Sequence, residues 1–198
     1  MRRVTAILFA TCLVTSAFAQ GSDCWLQQMS QNNDLFSLAQ LLQSTKVLPN
    51  SVQEKSTLFL PTNAAFVTFL VNNNLSLDTL SQQLASDPQF RGRIDSVLME
   101  HVLMLPNVNL ADLANSPTPT ALSMIHDGDY DVTVSNDLST VSSPANQANI
   151  VDTITLCGMT GFIIDGVLLP ATDIASVPVT THDQIEALFA AAGNSTMA

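Results

Sequence analysis

Apolar positions recur along this chain first at helical spacing and then in alternation, with the change near residue 120. Leu35, Leu38, Leu41 and Leu42 share one helical face, with Phe36 beside it. Asp34 stands where an N-cap belongs, and Pro49-Asn50 ends the unit. Leu58-Phe59-Leu60 reads as a short buried strand. Pro61-Thr62-Asn63 turns the chain, with Asn63 placed to cap a helix whose inward face is Phe66, Phe69 and Leu70. Asn72-Asn73-Asn74 breaks that helix. Ser76 opens another, with Leu77, Leu80 and Leu84 at helical spacing. Asp87-Pro88 opens the next, Asp as N-cap and Pro at the first helical position. Its stripe is Phe90, Ile94, Val97, Leu98 and His101, and Pro106 stops it.

Beyond a connection over residues 107–119, Tyr130, Val132 and Val134 alternate with Asp131 and Thr133. That pattern predicts a strand with one wet face, and Asp127-Gly128 predicts a hairpin turn before it. Residues 139–148 read as a polar loop, 150–156 and 162–169 as two more strands, and 180–192 as a C-terminal helix capped by Thr181. Helices come first and strands follow, so the fold class is α+β rather than alternating α/β.

The first residues stand outside this pattern. Arg2 and Arg3, an apolar run over residues 4–14 and Ala17-Phe18-Ala19 have the order of a secretory signal peptide, and the run is too short to span a bilayer. The expected organisation is a signal peptide at 1–19, a single domain at 20–175, and a C-terminal helix and tail at 176–198. About 179 residues then remain, enough for one core. Losing Arg2 and Arg3 leaves four basic residues against 17 acidic ones, a net charge of −13 instead of −11. Such a chain is repelled by nucleic acid and by anionic membranes. No later run is long enough for stable membrane insertion, and no hydrophobic tail follows the small residues at the C-terminus, so no lipid anchor is expected.

Cys12 leaves with the leader, so Cys24 and Cys157 remain in an oxidising compartment. An internal bridge between them is expected; two free thiols or a bridge to another chain are the alternatives. Asn74-Leu75-Ser76 and Asn194-Ser195-Thr196 are glycosylation acceptors. Catalytic chemistry is not marked out. His101, His126 and His182 do not share metal-ligand spacing, so no metal and no cofactor are expected. Asp127-Gly128-Asp129-Tyr130-Asp131 starts like a calcium loop but has Val132 where Gly is needed and Leu138 where Glu is needed. No nucleophile elbow and no phosphate-binding glycine loop occur, and the reading is that this is not an enzyme. His101, inside an apolar stripe, reads as a core histidine bonded to backbone, the alternative being a binding-surface or pH-sensing residue.

Two separated segments carry a resemblance. Thr57, Phe59, Pro61, Thr62, Asn63, Ala65 and Phe66 match the first box of the fasciclin domain. Ile164, Asp165, Val167, Leu168 and Pro170 match the second, and His101-Val102 takes the place of the helix His between them. The chain resembles this family of secreted adhesion modules over about residues 24–170. The resemblance implies a β-sandwich-like wedge with a layer of helices on one side. It also implies a secreted protein that binds extracellular protein or glycan in a matrix or cell wall. Departures from the family pattern narrow that transfer. Glu100 stands where the family's cell-binding motif has Tyr before His, so Glu100 and His101 are a candidate binding surface of altered chemistry. Cys157-Gly158 replaces the usual Asn-Gly, Phe162 sits near a position where His or Tyr is usual, and Asp152-Thr153-Ile154 does not match the integrin-binding Asp-Ile. Some secreted algal members bind carotenoids. The alternative function is therefore a carrier, with a lipophilic small molecule in a groove between helices and sheet lined by Phe66, Phe69, Met99 and Met104; otherwise these residues fill the core.

Overall fold

Helices fill the first half of the chain and strands the second, as the change of period predicts. The computed structural model describes residues 24–45, 56–103, 115–116, 118–123, 131–181, 183–184 and 187. In chain order the elements are α1 (Cys24–Gln31), α2 (Phe36–Thr45), β1 (Thr57–Pro61), α3 (Asn63–Asn72), α4 (Leu77–Ser86) and α5 (Pro88–Met99). The strands β2 (Val102–Leu103), β3 (Thr120–Ser123), β4 (Asp131–Val134), β5 (Thr140–Ser142), β6 (Gln147–Leu156) and β7 (Met159–Ile164) follow. The signal peptide, the Asp127-Gly128 turn, Met104, His126, His182 and Asn194 lie outside the described residues.

The strands form one seven-stranded sheet in the order β2-β1-β7-β6-β5-β4-β3. The β1–β7 pair is parallel; the other pairs among the described strands are antiparallel. Every residue of β1 is buried, as expected for a strand covered on both faces. Pro61 ends it beyond the reach of β2, so its missing N–H breaks no ladder bond. β6 serves both halves of the sheet, and an irregularity between Ile150 and Asp152 lets it bend. The sheet therefore curls and has two cores. Leu58, Leu60 and Ile163 face the helices, against Trp25, Leu38, Phe66, Ile94 and Leu98. Phe59, Phe162 and Ile164 point the other way, into the curl, against Val132, Val134 and Val141. The period of two along β1 and β7 makes this division. Register partners Phe59 and Phe162 stack with ring centroids 5.5 Å apart. Phe162 thus has an aromatic packing role where the resemblance expects a His or Tyr.

Several local expectations need correction. Thr62, not Asn63, caps α3: its side chain accepts the Ala65 N–H at 3.1 Å. Asn63 instead ties α3 to the segment before it. Its Oδ1 accepts the Ser37 N–H (2.9 Å) at the start of α2, and its Nδ2 donates to the Asn33 carbonyl (2.5 Å). The cap expected from Asp34 thus comes from a residue 26 positions away, a long-range bond that local pattern does not encode. Leu77 is exposed, while Leu80 is buried and Leu84 half-buried. α5 ends at Met99 rather than near Pro106, because Val102–Leu103 is drawn into β2 beside β1. β5 lies within the expected polar loop, since Val141 on it is fully buried in the second core. β7 stops at Ile164, and residues 165–169 are held by side-chain bonds instead of a ladder.

Candidate functional site

His101 sits in the turn after α5 and is 5% exposed. Its carbonyl accepts the Phe59 N–H at 2.9 Å. Its Nδ1 lies 2.7 Å from the Val97 carbonyl and its Nε2 lies 3.0 Å from the Leu168 nitrogen. The Leu168 N–H can only donate, so Nε2 carries the lone pair and Nδ1–H donates to Val97. One ring thereby fastens α5 to the second family box. Burial lowers its pKa from 6.5 to about 4, only partly opposed by the Val97 bond. A second ring proton would face the Leu168 N–H.

Glu100 is fully buried beside it. Neither carboxyl oxygen has a hydrogen-bond partner among the described residues. Burial raises its pKa from 4.5 to about 8, so at neutral pH the carboxyl is a neutral acid. Both residues of the expected binding surface are thus buried in this structure. The apolar pattern that ends α5 carries them inward.

The family-motif residues are structural in the same sense. Thr57, Phe59, Pro61 and Phe66 are buried, as are Ile164, Val167, Leu168 and Pro170. Asp165 is exposed but accepts from the Asn149 N–H and from Asn149 Nδ2, each at 2.7 Å. Asn146 and Ser143 complete this clasp: Asn146 Nδ2 donates to the Val167 carbonyl (2.7 Å) and Ser143 Oγ to the Leu169 carbonyl (2.9 Å). Sequence reasoning passed over both residues; the turn signal Ser143-Pro144 was their only mark.

Cys24 and Cys157 form a disulfide, with Cα atoms 6.2 Å apart. Cys157-Gly158 is the two-residue turn between β6 and β7, with φ of 49° and 90°. Asn-Gly is the usual choice for such a turn. Here a left-handed Cys is accepted where its sulfur reaches α1. Gln28 Oε1 accepts the Cys157 N–H at 3.1 Å and adds a second tie to α1. Asn74 is exposed in the turn after α3, with φ of 55°.

Phe66, Phe69 and Met99 are all buried, at 5%, 6% and 0% exposure. The crevices among these helices and β1 measure about 10 Å³ each, about one water molecule. A larger groove of about 460 Å³ lies elsewhere, between the end of α2, the first half of α5 and residues 179–181. Gly92 lets those segments meet: a Cβ there would stand 2.6 Å from Val179 Cγ1 and 2.9 Å from the Thr180 carbonyl oxygen. A glycine inside a helical pattern was the sequence signal for this close approach. Among the described residues, no cluster of His, Cys, Asp and Glu is arranged to hold a metal ion. No helix among them is long and apolar enough to cross a membrane.

Helices line one face of the curled sheet, and His101 bonds to both boxes, through its carbonyl to Phe59 and through its ring to Leu168. The fasciclin-domain family model matches residues 33–170, more than half of the chain, and the chain belongs to that family. Fasciclin domains occur in extracellular or secreted adhesion proteins. Among solved structures, the chain is similar to a FAS1 domain pair from the insect cell adhesion molecule fasciclin I. That likeness has 18% identity and a TM-score of 0.49, and covers 76% of this chain. The chain spans about half of that pair's length, 48%. No curated protein matches the chain.

Proposed function

We propose that this chain is a secreted, non-catalytic adhesion module that binds extracellular protein or glycan in a matrix or cell wall. The family match over residues 33–170 carries the reading. The signal-peptide pattern at 1–19 and the acidic composition agree with it, with a single domain at 20–175 and a helix and tail at 176–198. The disulfide also suits an oxidising compartment. A stiff block with two packed cores presents its surface rather than its interior. The carrier alternative needs room for a lipophile among Phe66, Phe69, Met99 and Met104, the last outside the described residues, and small-molecule sites usually measure about 300–1,000 Å³. Among the described residues, the crevice lined by Phe66 and Phe69 measures about 10 Å³, which favours adhesion over transport. One domain cross-links nothing by itself, so adhesion requires a second binding face, a dimer or a multivalent partner.

The test uses beads coated with the secreted, oxidised protein and cell-wall or matrix material from its own host. Retention above that of beads coated with an unrelated protein of equal net charge is expected. Equal retention would refute adhesion. Visible absorbance or a bound lipophile in the purified protein would replace it with transport.

A further inference from the structure

Helix α1 lies just outside the stretch that matches the family model. It has 8 residues, fewer than the about 12–15 that a helix needs to persist alone in water. No acidic side chain stands in its first turn to favour its N-terminus. Trp25 and Met29, one turn apart, are buried in the first core, while Cys24, Gln27 and Gln28 are exposed. Two ties join α1 to the turn between β6 and β7. One is the Cys24–Cys157 disulfide, and the other is the Cys157 N–H bond to Gln28 Oε1 at 3.1 Å. The chain after α1 is fixed independently of these ties. Leu35 is fully buried, and Asn63 Nδ2 donates to the Asn33 carbonyl.

We propose that the disulfide is a redox latch: its reduction releases α1 and uncovers the part of the first core beneath Trp25. While the bridge stands, an opened α1 is tethered at both ends. Once the bridge is cut, only the turn into α2 holds it, so reduction favours the open form by the chain entropy it frees. Trp25 shares the wall of a crevice with Leu38, Leu42, Leu58, Leu60 and Leu98, so its departure exposes apolar side chains. The chemistry is thiol–disulfide exchange with a dithiol reductant. One thiolate of the reductant attacks Cys24 Sγ, because Cys24 is exposed and Cys157 half-buried. A mixed disulfide forms, and Cys157 leaves as a thiolate that takes a proton from water. The second thiol of the reductant then displaces Cys24. The products are two cysteine thiols on the chain and an oxidised reductant, so two electrons and two protons pass to the protein.

The experiment compares residue-resolved amide hydrogen exchange in the oxidised protein and in protein held reduced by dithiothreitol. On reduction the Gln28, Met29, Ser30 and Gln31 amides of α1 should exchange about 100-fold faster or more, relative to Val97 and Leu98 in α5, which stay protected. Emission from Trp25, the sole tryptophan, should shift to the red and become quenchable by acrylamide. Reoxidation should reverse both changes. The double variant Cys24→Ser with Cys157→Ser should show the released helix without reductant and ignore dithiothreitol. If α1 and α5 lose protection together on reduction, the bridge acts only on the unfolded chain and the latch is refuted. Unchanged protection of α1, in the reduced protein or in the double variant, would show that its docking needs no bridge and would refute the latch equally.

Discussion

Glu100→Gln keeps the shape of the side chain and removes its ionisation, so it isolates what a buried carboxyl does to stability. In the folded chain burial raises Glu100 from 4.5 to about 8. Between those values the unfolded chain releases the proton and the folded chain keeps it. The stability from this group is complete below pH 4.5, falls as pH rises, and stops falling above about 8. Each pH unit on that limb is worth about 1.4 kcal/mol, so the full limb is on the order of 4–5 kcal/mol. Domains of this kind have only about 5–15 kcal/mol in all. His101 acts in the opposite sense. Burial lowers it from 6.5 to about 4, so its contribution is present above pH 6.5 and is lost as pH falls through about 4. Between pH 4.5 and 6.5 the two slopes cancel. The expected profile is a plateau across that window with losses on both sides. Urea unfolding followed by the fluorescence of Trp25, the sole and buried tryptophan, measures it. From pH 6.5 to 8 the native chain should lose about 2 kcal/mol. Glu100→Gln should lose that alkaline limb and gain an acid slope within the former plateau, where His101 is now unopposed. A variant that declines above pH 6.5 as steeply as the native chain would refute the reasoning.

Cys24→Ser should cost about 3–5 kcal/mol, because the bridge closes a loop of 133 residues in the unfolded chain. The urea midpoint reads this, and a loss under about 1 kcal/mol would mean that the bridge constrains little. Asn63→Ala should cost about 1–2 kcal/mol through the Ser37 and Asn33 bonds, whereas Asn63→Asp keeps the acceptor for Ser37 and should cost about half as much. Equal losses in the two variants would assign the effect to the Asn33 bond alone. Produced through a eukaryotic secretory pathway, the chain should carry a glycan at the exposed Asn74. Intact mass before and after glycosidase treatment, with Asn74→Gln as control, checks it.

Periodicity made the helices legible, and strong local chemistry fixed some of their ends. Asp87 accepts the Gln89 and Phe90 N–H groups, and Ser76 with Thr79 forms a capping box. Where an end depended on a distant partner, local pattern misled. The stripe from Phe90 to His101 is continuous in sequence, yet the helix stops at Met99 because pairing with β1 competes for Val102. β5 was unreadable because three residues with one buried Val leave no alternation to see. Of the site residues, His101 was legible as a core histidine bonded to backbone, but not as the link to Leu168. That bond joins positions 67 residues apart. Glu100 was misread because a charged residue type suggests surface, whereas a carboxyl held neutral can be buried among apolar residues. The groove was invisible as a whole, since α2, α5 and residues 179–181 meet only in the fold.

This division bears on where specificity lies. The quoted box residues are buried, or, like Thr62, Asn63 and Asp165, committed to capping or holding backbone. Two boxes clasped through His101 specify a framework, and they would do so whatever the partner. The buried Glu100 therefore acts on the pH range over which the framework is stable. Exposed positions outside the boxes are not committed in this way, and a substitution there costs the fold little. Val179 is such a position, exposed on a segment pinned by its neighbours Pro178 and Thr180. Such a position can change while the clasp beneath stays intact. The signature that identifies the family thus leaves the partner unnamed.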